Sequence, residues 1–89
     1  MEKDYSLISF ILRAKRRRKV FELLNEPKTP KQLANECKIS ISNISNSLAE
    51  LKEKELIELL NPKDHLTRFY QQTSRGKEVL KMLKDNILT

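Results

Sequence analysis

Apolar residues recur along this chain with helical spacing over most of its length and with strand spacing only near the middle. Val20, Phe21, Leu23 and Leu24 follow an i, i+3, i+4 pattern, the mark of a helix with one buried stripe. That helix ends at Asn25-Glu26-Pro27, because the residue before a proline is pushed out of the α basin. Upstream, Leu7, Ile8, Phe10, Ile11 and Leu12 cluster more tightly. Carried along one continuous helix, Leu7 and Ile11 point well away from the stripe of Val20 and Leu24. Either the helix kinks near Arg13, or its first half packs on something else, for which a second subunit is the expectation. Next, Thr29-Pro30-Lys31-Gln32 reads as an N-cap threonine, a proline at the first helical position and a capping-box glutamine. Leu33, Ala34 and Cys37 make that helix about two turns long, and a turn follows at Lys38-Ile39. Ser40 is an N-cap for a third helix. Its stripe of Ile44, Leu48 and Leu51 carries it to about Lys54 or Glu55. Leu56 to Leu60 is short, apolar and interrupted once, as a partly buried strand would be. Asn61-Pro62-Lys63-Asp64-His65 is turn chemistry, and Arg68-Phe69-Tyr70-Gln71-Gln72 returns antiparallel to the first strand. Thr73 caps a last helix running from about Ser74 to Asn86, with Val79, Leu80 and Leu83 inside. The predicted order is α-α-α-β-β-α, mainly helical with one small hairpin.

Eighty-nine residues are enough for one domain, and a chain of this size buries only about 60–65% of the surface it exposes when unfolded. No second core and no interdomain cleft fits within it. The longest apolar run is Phe10-Ile11-Leu12, far below the roughly 20 residues of a membrane span. The N-terminus lacks the apolar stretch of a signal peptide, so no membrane partner is expected. The lone Cys37 excludes an intrachain disulfide and suggests a cytoplasmic setting. One His beside one Cys supplies no tetrahedral zinc site.

Charge changes the picture once it is located. The chain has 18 Lys+Arg against 12 Asp+Glu, net +6. Arg13, Lys15, Arg16, Arg17, Arg18 and Lys19 account for that whole excess within residues 13–19. Such a cluster attracts polyanions, nucleic acid or an anionic surface among them, although an ordinary charge run is more often a solvated helix face.

Two short helices joined by a tight turn, the second opened by a capping serine, form a helix-turn-helix. Its second helix must bury one stripe while its other faces stay free to enter a DNA major groove about 12 Å wide. With Ile44, Leu48 and Leu51 inside, Ser42, Asn46 and Ala49 project opposite, flanked by Asn43 and Ser45. No charged residue stands between Ile39 and Ala49. Short polar side chains allow close approach to base edges, and Asn can bond adenine N6 and N7 together. Serine and asparagine are mediocre helix formers, so a surface shaped for stability alone would favour Lys, Glu, Gln or Ala.

Gln32-Leu33-Ala34, then Ile39 to Ser45, Leu48 and Leu51, resemble the helix-turn-helix of winged-helix transcriptional regulators of the ArsR and MarR type, small archaeal members included. The strand, turn and strand, closed by Thr73-Ser74-Arg75-Gly76, are similar to that family's wing and final helix. The likeness spans about Arg13 to Leu83. It implies one winged helix-turn-helix domain over residues 1–89: an N-terminal helical extension (1–12), the helix-turn-helix (29–55), the wing (56–73) and a C-terminal helix (74–89). It further implies a recognition helix over 40–55, with Ser40, Ser42, Asn43, Ser45 and Asn46 at the groove. Thr29 and Lys31 match phosphate-contacting positions at a helix N-terminus. Lys63, His65 and Arg68 fall in the wing (61–68), which the family lays on the backbone or in the minor groove; a loop histidine can equally be merely solvated. Arg16, Arg17 and Arg18 would add phosphate or dimer contacts.

The resemblance thus implies a sequence-specific regulator of double-stranded DNA, acting as a homodimer on a palindromic site. Expected dimer surfaces are Leu7, Ile8, Phe10 and Ile11, and the end of the last helix at Ile87 and Leu88. Lys38 and Glu55 replace glycines common in the family's turns, which predicts turns built differently there. Gln72 replaces a common core leucine and questions the inner register of its strand. No metal, cofactor or small-molecule effector is implied. The alternative is a protein–protein adaptor that sets the 13–19 cluster against an acidic partner. With no nucleophile–base pair and no phosphate-cradling glycine loop, an enzyme is not expected.

Overall fold

The first helical region breaks where its apolar faces diverge. In the computed structural model, which describes residues 4–63 and 67–86, α1 (Asp4–Leu12) and α2 (Lys15–Leu23) are separate helices. Between them Ala14 is extended, at φ −135° and ψ 109°. Alanine is the best helix former, so tertiary packing rather than propensity makes the break. It allows both apolar faces to be buried in one core. Leu7, Ile8 and Ile11 reach it from α1, and Val20, Phe21 and Leu24 from the α2 region. This corrects the expectation that Leu7, Ile8 and Ile11 face a second subunit, since Leu7 and Ile11 are 1% and 0% exposed within the single chain. Phe10 is half-buried, and Leu12 is exposed. Ile87 and Leu88 lie outside the described residues.

α3 (Pro30–Cys37) begins as read. Thr29 Oγ1 accepts from the Gln32 amide at 3.1 Å, and Gln32 Oε1 accepts from the Thr29 amide at 2.8 Å. Cys37 is half-buried, and burial pushes its thiol up, so it stays protonated at neutral pH and packs as a small apolar group. α4 (Ile41–Glu53) follows, with Ser40 Oγ accepting from the Asn43 amide at 3.2 Å. The turns on either side of α4 take the left-handed form despite lacking glycine: Lys38 has φ 58° and Glu55 φ 60°. Amide bonds enforce this. Ile39 donates to the Ala34 carbonyl at 3.2 Å, and Leu56 donates to that of Leu51 at 3.1 Å. Side chains other than glycine are strained there. Lys38→Gly and Glu55→Gly should therefore each stabilise the fold by about 0.5–1 kcal/mol, net of the freer unfolded chain, seen as a melting temperature several degrees higher.

β1 (Ile57–Leu59) and β2 (Tyr70–Gln72) pair antiparallel, Ile57 with Gln72, Glu58 with Gln71 and Leu59 with Tyr70. Lys28 adds a bridge to Tyr70 on the other edge, with bonds of 3.0 and 2.9 Å. The Lys28 ammonium donates to Glu36 at 2.9 Å; that bond, with help from Glu26, holds the amine above its ordinary pKa. Gln72 faces inward and is buried for a reason the register explains. Its backbone amide donates to the Leu24 carbonyl and its Nε2 to the Phe21 carbonyl, both at 2.8 Å. Its side chain thus makes a bond to the Phe21 carbonyl, near the end of α2, that a leucine could not.

α5 (Ser74–Asn86) closes the domain. Thr73 Oγ1 accepts from the Gly76 amide at 3.0 Å and donates to the Glu55 carbonyl at 2.7 Å. Val79, Leu80 and Leu83 turn into the core. The observed order is α-α-α-α-β-β-α, one helix more than predicted, around a core that includes Phe21, Leu33, Ile44, Leu51 and Leu56. Among the described residues no helix is long and apolar enough to cross a membrane.

Candidate nucleic-acid interface

α4 divides cleanly by exposure. Ile44, Ser47, Leu48 and Leu51 are buried. Ser42, Ser45, Asn46 and Ala49 are exposed, and Asn43 is half-buried at the margin. Ser47 was not expected inside; its small side chain fits the stripe that faces the neighbouring helices. On the first turn Ser40 Oγ serves the cap and lies 3.3 Å from Ser42 Oγ. Those two hydroxyls are partly engaged, whereas Asn46 and Ser45 stand further along the open face.

Beside that face runs an open groove of about 370 Å³. Pro30 at the start of α3, Ser45, Ala49 and Lys52 of α4, and Arg68 and Tyr70 of the second strand region line it. Lys31 is exposed at the same end of α3. The hairpin loop is held by Asn61, whose Oδ1 accepts from the Phe69 amide at 2.8 Å while its Nδ2 donates to the Thr67 carbonyl. This clamp fixes the base of the loop beside α4. Lys63 and Arg68 are exposed on it. His65 lies outside the described residues.

The basic cluster does not act as one surface. Arg17 is turned inward, with its side chain 15% exposed. Its Nε donates to Glu50 of α4 at 3.2 Å, its Nη1 donates to the Phe10 carbonyl of α1, and its guanidinium sits 3.9 Å from the centre of the Phe10 ring. It is a strut joining three helices, contrary to the expectation of a phosphate or dimer contact. Arg18 pairs along its own helix with Glu22 at 3.1 Å. Arg13, Lys15, Arg16 and Lys19 remain exposed.

The sequence from residue 15 to 59 matches the model of a helix-turn-helix domain. The chain belongs to that family. The matched stretch of this helix-turn-helix domain runs from the start of α2 to the end of β1, with α3 and α4 inside it. No curated protein matches the chain. Solved structures share its fold. The reduced form of the transcriptional regulator YodB from B. subtilis superposes with a TM-score of 0.79 at 18% identity, over 99% of this chain and 89% of that one. A homodimeric winged helix-turn-helix DNA-binding domain from Mycobacterium bovis, described as a possible ArsR-family regulator, gives 0.73 at 17% identity over 96% and 76%. The MarR family transcription regulator SP03579 gives 0.74 at 23% over 94% and 60%. The fold is therefore the winged helix of ArsR- and MarR-type regulators, with β1, β2 and the loop between them as its wing. The chain spans about half the length of others it matches, 50% of RV1404 from Mycobacterium tuberculosis.

Among the described residues of the helix-turn-helix domain, no group of three or more His, Cys, Asp or Glu could hold a metal ion. Sequence reasoning missed Lys52 because it follows the uncharged stretch by three residues and looks like an ordinary helix-end lysine. It missed the Asn61 clamp because Asn61 reads only as a turn former. The signal for Lys52 was available: it stands seven residues after Ser45, two turns along the same side of the helix.

Proposed function

We propose that the chain is a transcriptional regulator that binds double-stranded DNA in a sequence-dependent way, with α4 in the major groove and the wing on the backbone or in the minor groove. One observation carries this: the face of α4 bearing Ser42, Ser45, Asn46 and Ala49 is uncharged, and those four side chains are exposed. That face meets the requirement for base-edge contact, in which short polar groups approach closely and an amide pairs with adenine. Lys52 and Arg68, which line the groove beside it, act as phosphate partners together with Thr29, Lys31, Lys63 and Arg16. Thr29 keeps a hydroxyl proton to donate, since its oxygen accepts from Gln32. Phosphate contacts fix the position and base contacts select the sequence.

The homodimeric M. bovis domain supports a second copy reading a second half-site, which for two-fold related helices lies about 34 Å away. The adaptor reading loses ground because Arg17 and Arg18 of its acidic-partner surface are already paired within the chain. Asn46→Ala tests the proposal. Binding to a selected duplex should weaken about 5- to 150-fold while binding to unrelated duplex changes little, as measured by fluorescence anisotropy. Equal weakening on both would show that Asn46 does not read bases.

A further inference from the structure

Four large apolar side chains are exposed among the described residues: Leu12, Ile41, Leu60 and Phe69. Ile41 is the most exposed, at 53%, and it alone stands on α4. Nothing in the fold accounts for it. At a helix start, a staple joins the residue before the cap to the fourth helical residue. Here those positions are Ile39, packed on the core, and Ile44, fully buried. The first helical position favours proline or an acid, and a β-branched side chain there gains neither packing nor propensity.

We infer that Ile41 is a specificity-determining residue that packs on the C5-methyl group of a thymine, and that A·T pairs lie under the first two turns of α4. This rests on the DNA-binding reading and names the base pairs it selects. Ile41, Ser45 and Ala49 follow at i, i+4 and i+8, so they form one row along the helix, with Ser42 and Asn46 in the row beside it. The first row offers methyl groups and one hydroxyl, the second a hydroxyl and an amide. Thymine is the base that presents a methyl in the major groove, and adenine is the base whose N6 and N7 suit an asparagine amide. An A·T pair therefore answers both rows, one strand to each.

The same face lacks what G·C pairs require. Guanine O6 and N7 are read by Arg or Lys, and the cytosine amino group by a carboxylate. From Ile39 to Ala49 there is neither. The first acid, Glu50, is held by Arg17 at 3.2 Å. Lys52 comes a further turn along, in the groove shared with Arg68, where a phosphate rather than a base is its natural partner.

The test begins with the full chain selecting duplexes from a random pool. Thymines of the selected site are then replaced one at a time by deoxyuridine, which removes only the methyl, and affinities are compared by anisotropy. The expected result is an A·T-rich site in which one thymine per half-site loses about fourfold on replacement, the worth of one buried carbon group. Ile41→Ala should weaken the thymine duplex by the same factor and bind thymine and deoxyuridine duplexes equally. Because Ile41 is exposed, its variant should keep the wild-type melting curve, so a loss reports on contact. Equal wild-type affinities for thymine and deoxyuridine at every position, a G·C-rich core, or an Ile41→Ala protein that still discriminates would each overturn this inference alone. Absence of binding to any duplex overturns the DNA-binding reading together with it.

Discussion

Gly76→Ala is expected to lower the melting temperature by roughly 10–20 °C, a net loss of about 2–3 kcal/mol. The direction is opposite to the usual one. A glycine inside a helix is normally worse than alanine by about 1 kcal/mol, so the substitution ought to help. Here a Cβ on Gly76 would come 2.1 Å from the Leu56 carbonyl oxygen and 3.1 Å from its carbon. Both atoms are backbone, and the Leu56 carbonyl is fixed by the Thr73 amide at 3.0 Å. Relief requires α5 to move away from Leu56, and with it the Thr73 hydroxyl that joins Glu55 to the start of α5. Thermal unfolding followed by circular dichroism measures this directly. A rise in melting temperature would mean that α5 does not approach Leu56 as described.

Arg17→Ala is expected to destabilise the fold by about 2 kcal/mol, or roughly 8–16 °C, while Arg16→Ala stays within about 0.5 kcal/mol of wild type. The exposed Glu50 makes the ion pair itself a small part of this. The larger part comes from the charged hydrogen bond to the Phe10 carbonyl and the guanidinium on the Phe10 ring. Arg17→Lys should recover little, because one ammonium cannot serve Glu50, the carbonyl and the ring as a planar fork does. For DNA affinity the order reverses. Arg16→Ala should weaken binding across all sequences, as the loss of a phosphate partner does, and folded Arg17→Ala should not. Indistinguishable melting curves for the two alanine variants would contradict the strut.

These two residues also show which parts of the molecule a sequence can reveal. The α3 cap is legible because its atoms belong to four consecutive residues, Thr29 to Gln32. The same holds for Ser40 and Asn43, and for the stripe that leaves Ser42, Ser45 and Asn46 outside. Arg17 and Arg16 look alike in sequence, and they differ only because Glu50, 33 residues on, comes up beside one of them. Gln72 reads as an anomaly until Phe21, 51 residues away, presents its carbonyl. The break at Ala14 has no local cause either. The misphased apolar residues announce a conflict, but only the shared core decides in favour of a bend. Lys38 and Glu55 are the reverse case: local preference argues against the left-handed turns, and the amide bonds around them prevail.

The central claim is that α4 and the wing form a surface for duplex DNA. Titration of the full chain into a labelled duplex at a series of salt concentrations tests it most directly. Five cationic phosphate contacts per subunit, from Lys31, Arg16, Lys52, Lys63 and Arg68, give a log–log slope of about −4.5, or a fall in affinity of roughly 500-fold between 50 and 200 mM salt, and twice that slope for a bound dimer. A flat dependence, or no binding at the lowest salt, would contradict the account.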